Sequence, residues 1–372
     1  MIHTALHFLG MNKIYTALGA LVLVVLIGFF GWSANQHKTE SIKIGAILGL
    51  TGPAATDSLN MKRGLDLAQA DLAAKGVVVD INYQDDKTDP KQSVSAAQYL
   101  LTSYGPNAIV GPAWEFLEDA ADPVIAAAKT VSYAPADTSE YTNFKSPYTF
   151  RGAPRVALSE QPLAEWLQKN NKKRIAIVVL KGGWGDTNAK AMRAAAKDAG
   201  ATVVLDESFQ SGTPDAANLM ATALLKAKNV NADILFWSGF DPDAVALAKK
   251  RNELKFLVPV VVASTVYDSL LSRNAVSKEE LKDMYFVSIP VSPDFVAKFK
   301  TKYGEAPGPY ADRAYDGLML LAQAIQNSPS RDGDAIAAQL RKINYQGYGG
   351  VYQFNNDGDV ESGSWVIESI VR

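Results

Sequence analysis

Residues Ala108–Tyr141 read AIVGPAWEFLEDAADPVIAAAKTVSYAPADTSEY and contain two short apolar runs that each end abruptly in a polar or aromatic loop. The first run, Ala108–Val110, passes through Gly-Pro into an amphipathic segment that predicts a helix. The second run, Val131–Ala134, also ends at a proline. Ligands of open parallel α/β sheets bind beyond the carboxyl ends of the strands, where free backbone N–H groups and helix N-termini converge. The stretch therefore predicts two strand ends that form one wall of a binding site.

Apolar runs and helical patterns alternate on both sides of this stretch. Ile42–Leu48 predicts a strand, residues 60–75 predict a helix, and Asp89 followed by proline has the composition of a helix start. The same alternation starts again near Ser159 and continues to about Ala263. We therefore expect an α/β protein of two doubly wound parallel-sheet lobes, with a cleft between them that hinge motion can close.

The C-terminal part of the chain follows a different pattern. Helical segments are expected from about Pro290 to Ile343. Gly350–Phe354 and Trp365–Val371 then predict a hairpin, because residues 355–358 between them have the composition of a turn.

Composition excludes several classes of function. The chain has 372 residues, a net charge of −2 and 20% charged residues, so it lacks the basic surface that nucleic-acid binding requires. It has no cysteine, which excludes disulfides, thiolate metal ligands and a cysteine nucleophile. Its three histidines, His3, His7 and His37, all precede the globular body, which excludes histidine-based catalysis there. Acid–base catalysis by a pair of carboxylates stays open, although no spacing singles out such a pair. We expect no enzyme, no cofactor and no metal.

The N-terminal segment differs in kind from the rest of the chain. Ile14–Trp32 is 19 residues without a charge, and a helix of that length spans roughly 28 Å, enough to cross a bilayer core. The segment predicts a transmembrane anchor or a secretion signal, and its poor cleavage site favours an uncleaved anchor with the body outside the cytoplasm. Residues 1–13 then form an extension, within which Met11 is a plausible true start, and residues 33–40 form a spacer.

Several segments together resemble a known family. They are Ile42–Pro53 (IKIGAILGLTGP), the helix with Arg63-Gly64 and Ala68, Tyr83–Gln92 (YQDDKTDPKQ), Ile109–Pro112, Tyr133–Ala136 and Ala314–Gly317. In this order they resemble the periplasmic binding proteins of the leucine/isoleucine/valine type, the substrate-binding components of ABC importers. The resemblance covers about Ser41 to the C-terminus and implies the type I periplasmic-binding fold, an ABC permease as partner and a small-molecule solute as ligand.

The resemblance also implies how the lobes are divided. In that family the chain crosses between the lobes three times, and the matching places here lie near Pro154, near Pro290 and at Tyr348–Phe354. Lobe 1 would then comprise residues 41–154 and 291–347, and lobe 2 residues 155–290 and 348–372.

The resemblance implies a ligand site built from loops of both lobes. Its expected members are Asp57, Ala113, Trp114, Glu115, Ala136, Thr138, Trp184, Phe240 and Thr265. Thr138 falls on the family's threonine position and Ala136 on its backbone-carbonyl position. Trp184 and Phe240 match two aromatic positions that close over the ligand.

Three of these positions depart from the family pattern. Glu115 stands where the family has a serine that binds the ligand's α-carboxylate, and Thr265 stands where an acidic residue binds its ammonium group. Asp57 lies where an aromatic residue often stands. A carboxylate that faces a ligand carboxylate repels it by about a few kcal/mol when water is excluded. We therefore expect a cationic or amide-like solute, held by charge pairing, hydrogen bonds and cation–π contacts, rather than a branched-chain amino acid.

Other interpretations of the same residues stay open. Glu115 could be a first-turn acid that faces water and is favoured only by the dipole of its helix. Lys181–Asp186 lacks the spacing of a nucleotide-binding loop and is expected to be a flexible loop of the cleft. The alternative function is a ligand-sensing or envelope-regulatory protein on the same fold, without a transporter. An oxidoreductase is a weaker candidate because the dinucleotide-binding fingerprint is missing.

Overall fold

The computed structural model describes residues 41–136, 138, 146–211, 213–263, 274–361 and 363–371, but not the Asp241 side chain. Its first sheet has five parallel strands. These strands are β1 (Ile42–Leu48), β2 (Val79–Asp85), β3 (Ala108–Val110), β4 (Val131–Ala134) and β5 (Thr149–Arg151). Their order is β2-β1-β3-β4-β5. Because β1 lies between β2 and β3, the direction of winding reverses at the carboxyl ends of β1 and β3.

Helices cover both faces of this sheet. They are α1 (Ala55–Ala74), α2 (Pro90–Tyr99), which a π-turn at Leu100–Tyr104 extends, α3 (Glu115–Ala127), α8 (Pro293–Tyr303), α9 (Ala311–Asn327) and α10 (Gly333–Leu340). Successive side chains of β1 alternate between two cores. Ile44, Ala46 and Leu48 lie in the core that contains α1 and α9, whereas Ile47 lies in the core that contains α2 and α3. We refer to this sheet and its helices as the first half.

The second sheet has six strands in the order β13-β10-β9-β8-β6-β7. They are β6 (Arg174–Leu180), β7 (Thr202–Phe209), β8 (Ile234–Ser238), β9 (Val260–Val262), β10 (Met284–Ser288) and β13 (Val366–Ser369). All pairs are parallel except β10 with β13. β6 lies between β7 and β8, so the winding again reverses, here at the carboxyl ends of β6 and β8.

The helices of the second sheet again lie on both faces. They are a 3₁₀ turn at Val156–Ser159, α4 (Glu160–Lys169), α5 (Gly183–Asp198), α6 (Ala216–Asn229) and α7 (Asp241–Glu253). On β6, Ile175, Ile177 and Val179 pack with α4 and α5, whereas Ala176 and Val178 pack with α6 and α7. This alternation explains the unbroken apolar run of the strand, since both of its faces are buried. We refer to this sheet and its helices as the second half, and Ile42–Arg372 as a whole forms one unit.

The predicted C-terminal hairpin is wrong. β12 (Val351–Tyr352) pairs with β11 (Tyr345–Gln346), and β13 completes the edge of the second sheet beside β10. Phe354 and Val360 form a single bridge across the predicted turn. Both side chains are buried in the core of the first half, whereas Trp365, Ile367 and Ile370 pack in the cores of the second half. The two segments that were expected to pair therefore belong to different cores.

Three further predictions meet the structure in different ways. Lys181–Asp186 is not a loop throughout, because α5 begins at Gly183. The predicted anchor, Ile14–Trp32, lies outside the described residues, and no helix within them is both long and apolar enough to cross a bilayer. The division into lobes stays a prediction.

Candidate functional site

Predicted site residues lie at strand ends at both points where the winding reverses. Trp114 and Glu115 follow β3 in the first half. Trp184 follows β6 and Phe240 follows β8 in the second half. In open α/β sheets such points form the crevice where ligands bind, since the connecting helices there leave in opposite directions. Each half therefore contributes aromatic side chains from its own crevice.

A hydrogen bond joins the two halves at this place. The backbone N–H of Trp184 donates to Oε1 of Glu115 at 2.7 Å. Trp184 is the second residue of α5, so its N–H is one of the donors that the first turn of a helix leaves without an intrahelical partner. The partly buried Glu115 thus does more than face water at the start of its own helix.

Gly183 makes room for this contact. A Cβ atom at Gly183 would lie 2.8 Å from Oε1 of Glu115, which is closer than carbon and oxygen normally approach. The absence of a side chain at Gly183 therefore allows the carboxylate to reach the first turn of α5.

Two pairs of aromatic rings flank the same region. The rings of Trp184 and Phe240 are stacked, with centroids 6.4 Å apart and planes inclined by 24°. Trp114 meets Tyr310 edge to face at 5.8 Å. The buried Nε1 of Trp114 has no hydrogen-bond partner among the described residues, so a ligand acceptor is one group that could satisfy it. Stacked and edge-on rings beside a carboxylate suit cations and flat polar groups.

Tyr310 is a site residue that the sequence did not indicate. It precedes α9 and adopts a left-handed backbone conformation, with φ of 61°. It lies in a Gly-Pro-Tyr segment far along the chain from the predicted strand ends, so its proximity to Trp114 depends on how α9 packs against the first sheet. The neighbouring Ala314–Gly317 motif was the nearest available signal.

The other predicted site residues lie at several different places in the structure. Ala113, Ala136 and Thr138 are buried beyond the ends of β3 and β4, and the Thr138 carbonyl accepts a hydrogen bond from Val156 at 2.8 Å. Asp57 lies in the first turn of α1 and is partly buried. Thr265 lies outside the described residues. The structure thus brings Glu115, Trp184 and Phe240 together.

Two carboxylates beside the first crevice have opposite environments. Burial alone would raise the pKa of Asp85, but hydrogen bonds from Thr51 and Lys87 outweigh it and lower that pKa. Burial raises the pKa of Asp86 to about 6, although Thr88 donates its N–H to Oδ1 at 2.8 Å. Asp89 caps α2 as expected. Among the described residues, no group of three or more acidic, histidine or cysteine side chains is arranged to hold a metal ion.

The comparisons with known proteins agree with this architecture. The profile of the periplasmic binding protein family matches residues 41–370. The chain belongs to this family. It is a type I periplasmic binding protein of the leucine/isoleucine/valine-binding type, and proteins of this kind bind solutes and are not enzymes. The family resemblance and the expectation of a binding protein are thereby confirmed.

Similar proteins span nearly the whole body of this periplasmic binding protein. The Leu/Ile/Val-binding protein homolog 7 of Brucella abortus is 24% identical, over 86% of this chain and 87% of the relative. The Leu/Ile/Val-binding protein of Escherichia coli K12 is 23% identical, over 88% and 90%.

Solved structures show the same fold. The branched-chain amino acid transporter substrate binding protein LivJ of Streptococcus pneumoniae, in complex with isoleucine, has a TM-score of 0.76 at 22% identity and covers 88% of this chain and 100% of its own. A solute binding protein of an ABC transporter from R. palustris, in complex with 4-hydroxybenzoate, has a TM-score of 0.79 at 21% identity and covers 90% and 94%. The fold thus holds ligands as different as an aliphatic amino acid and an aromatic acid.

Proposed function

We propose that this periplasmic binding protein captures a small polar solute between its two halves and delivers it to an ABC importer outside the cytoplasm. Its family supports solute capture, and the names of similar proteins connect them with ABC transport and branched-chain amino acids. In proteins of this shape, closure around the solute provides the form that the permease distinguishes from the open form. A permease is therefore the expected protein partner.

The solute is proposed to be cationic or amide-like. The observation that carries this proposal is the position of the Glu115 carboxylate, 2.7 Å from the Trp184 N–H and beside the stacked rings of Trp184 and Phe240. A negative charge that is partly shielded from water attracts a cation and repels an anion. Aromatic faces add cation–π attraction of about 0.5–2 kcal/mol each. A zwitterionic amino acid would bring its own carboxylate to the same place.

Aromatic acids are less favoured ligands for the same reason. A hydroxybenzoate could stack on Trp184 or Phe240, but its carboxylate would have to avoid Glu115.

Thermal unfolding of the full-length chain in mild detergent tests the proposal. The panel comprises branched-chain amino acids, primary amides, urea, polyamines, quaternary amines and hydroxybenzoates. A ligand at one hundred times its dissociation constant adds about 2.7 kcal/mol to the free energy of unfolding, which gives a measurable rise in Tm. Stabilisation by cations or amides alone supports the proposal. Stabilisation by leucine or valine would overturn the proposed ligand class and favour amino-acid transport.

Two controls connect a positive result with this site and with transport. Trp184→Ala and Phe240→Ala should reduce the Tm rise. Trp166→Ala is the control and should leave the Tm rise unchanged, because Trp166 packs against Tyr285 away from these strand ends. Stimulation of the permease's ATPase by the loaded protein would support delivery. If no compound raises Tm, the sensing or envelope-regulatory alternative gains support.

A further inference from the structure

The contact between Glu115 and Trp184 is made entirely by groups of the chain itself. The carboxylate belongs to the first residue of α3, in the first half, and the N–H belongs to the first turn of α5, in the second half. No part of the interaction requires a solute. We infer that Glu115 is a built-in latch, an intramolecular anion that holds the two halves closed on each other.

Electrostatics favours this position of the carboxylate. Glu115 is the first residue of α3 and accepts a hydrogen bond from the second residue of α5, so the N-terminal turns of two helices lie next to its charge. The N-terminus of a helix carries a partial positive charge of about half a unit, which stabilises an anion. The donor already points at the oxygen, so closure satisfies an N–H that would otherwise need water.

The fit at Gly183 is a second feature of the same contact. Gly183 has ordinary backbone torsions, so alanine is sterically acceptable to its backbone. A Cβ there would lie only 2.8 Å from Oε1, and the carboxylate would have to move to avoid it. The latch therefore depends on two residues from different halves that can be changed separately.

The strength of the contact suits a reversible latch. A hydrogen bond to a charged group stabilises a folded arrangement enough to change an equilibrium by about tenfold to a hundredfold. A solute with a comparable preference for the closed form could add to it or replace it. Glu115 would thus determine the closed fraction before any solute arrives. It would also act against anionic solutes, which must compete with it.

The absence of native cysteines allows a direct measurement in the full-length chain. Tyr99→Cys at the end of α2 and Leu225→Cys in α6 introduce one exposed thiol into each half, since both native side chains are 46% exposed. Spin labels at these two positions report the distance distribution between the halves by pulsed electron spin resonance. All samples are measured without added solute, so the result is independent of the proposed ligand class.

Four variants in this labelled background decide the question. Glu115→Ser should lower the ratio of the closed to the open population at least tenfold. Gly183→Ala should shift it in the same direction, and the double variant should match Glu115→Ser alone because both changes break one contact. Glu160→Ser replaces the glutamate that begins α4, which takes no part in this contact, and should leave the distribution unchanged.

The inference is overturned if the Glu115→Ser distribution coincides with that of the parent while its Tm shows that it is folded. It is equally overturned if Gly183→Ala and Glu115→Ser act additively, since separate effects would not reflect one contact. A shift in Glu115→Ser with no ligand found in the thermal panel would support the latch and contradict only the proposed solute class.

Discussion

The carboxylate of Asp359 forms an ion pair with the guanidinium group of Arg151, and the two side chains are only 2% and 6% exposed. Arg155 approaches the other carboxylate oxygen at 3.3 Å. The backbone N–H of Arg151 also donates to the Gly358 carbonyl at 2.8 Å. The end of β5 and the residues that follow it are thereby bound to the C-terminal segment, next to the places where the chain is predicted to cross between the lobes.

We expect Asp359→Asn to lower the free energy of unfolding by about 3–5 kcal/mol, because it removes the negative charge that pairs with the buried Arg151 guanidinium. Chemical denaturation at pH 7 measures this change. Asp206→Asn is the matched control, since Asp206 pairs with Arg193 at the exposed surface and such pairs contribute about 1 kcal/mol or less. Equal effects of the two variants would show that the Asp359 pair is not desolvated as the structure indicates.

Asp86 should make stability depend on pH in an unusual direction. Burial raises its pKa from 3.8 to about 6, so the folded state takes up the proton at a higher pH than the unfolded state does. Its contribution to stability is therefore complete below about pH 4 and is lost as pH rises through about 6. From pH 4 to pH 7, the free energy of unfolding of Asp86→Asn should rise relative to that of the parent by on the order of 2 to 3 kcal/mol. Parallel pH profiles of the two proteins would contradict this.

Asp316 should respond differently, although burial also raises its pKa to about 6. One oxygen accepts from the Tyr348 N–H, and the other accepts from the Gly349 N–H and the Tyr352 hydroxyl. The amide of Asp316→Asn would turn a donor towards at least one of these donors, so we expect a loss of about 1–3 kcal/mol at pH 7. Asp86, whose Oδ2 has no partner among the described residues, provides the comparison in the same denaturation experiment.

Gly64 is required by the contact between α1 and α9. A Cβ atom there would lie 2.0 Å from the backbone oxygen of Ala311, and a helix backbone cannot yield locally. We expect Gly64→Ala to cost about 2 kcal/mol or more, because the two helices must separate. Gly76→Ala meets no atom within 4 Å and should cost about 1 kcal/mol for its positive φ alone. Thermal unfolding of both variants measures which one loses more stability. A larger loss at Gly76 would refute the explanation that the helices must separate.

Two strands that are buried on both faces could be predicted exactly. Ala108–Val110 and Val131–Ala134 were expected with the bounds that the structure has, because each is a local apolar run that ends at a loop containing proline. Thr149–Arg151 was not predicted as a strand, since it has only three residues and two of them are polar. Met284–Ser288 was also not predicted, and one of its partners, β13, lies far along the chain. The error at the C-terminus has the same origin, because β13 pairs with a strand about eighty residues earlier.

The site shows the same division between local and distant information. The family resemblance implied Trp114, Glu115, Trp184 and Phe240, and the strand ends that they follow could be predicted from local patterns. Local patterns could not show that the Glu115 carboxylate reaches the first turn of α5, since this depends on how the two halves meet. They also could not bring Tyr310 to Trp114.

Glu115→Ser should change which charge the site accepts. The variant removes the repulsion of anions and leaves the Trp184 N–H, at the N-terminus of α5, able to bind an external carboxylate. We expect affinity for a short branched monocarboxylate such as isovalerate to rise at least tenfold, and affinity for a quaternary amine to fall by a similar factor. Monocarboxylates are the suitable probe, because Thr265 is predicted to stand where the family resemblance implies an acidic residue for an ammonium group.

Isothermal titration calorimetry of the parent, Glu115→Ser and Glu115→Gln measures both affinities. Glu115→Gln keeps an oxygen that can accept from Trp184 but carries no charge, so it separates the two properties of the side chain. If charge determines the selection, Glu115→Gln should lose quaternary-amine binding as Glu115→Ser does. Because its amide still occupies the first turn of α5, it should gain little isovalerate binding. Unchanged affinities for both ligands in Glu115→Ser would mean that residue 115 does not determine ligand charge.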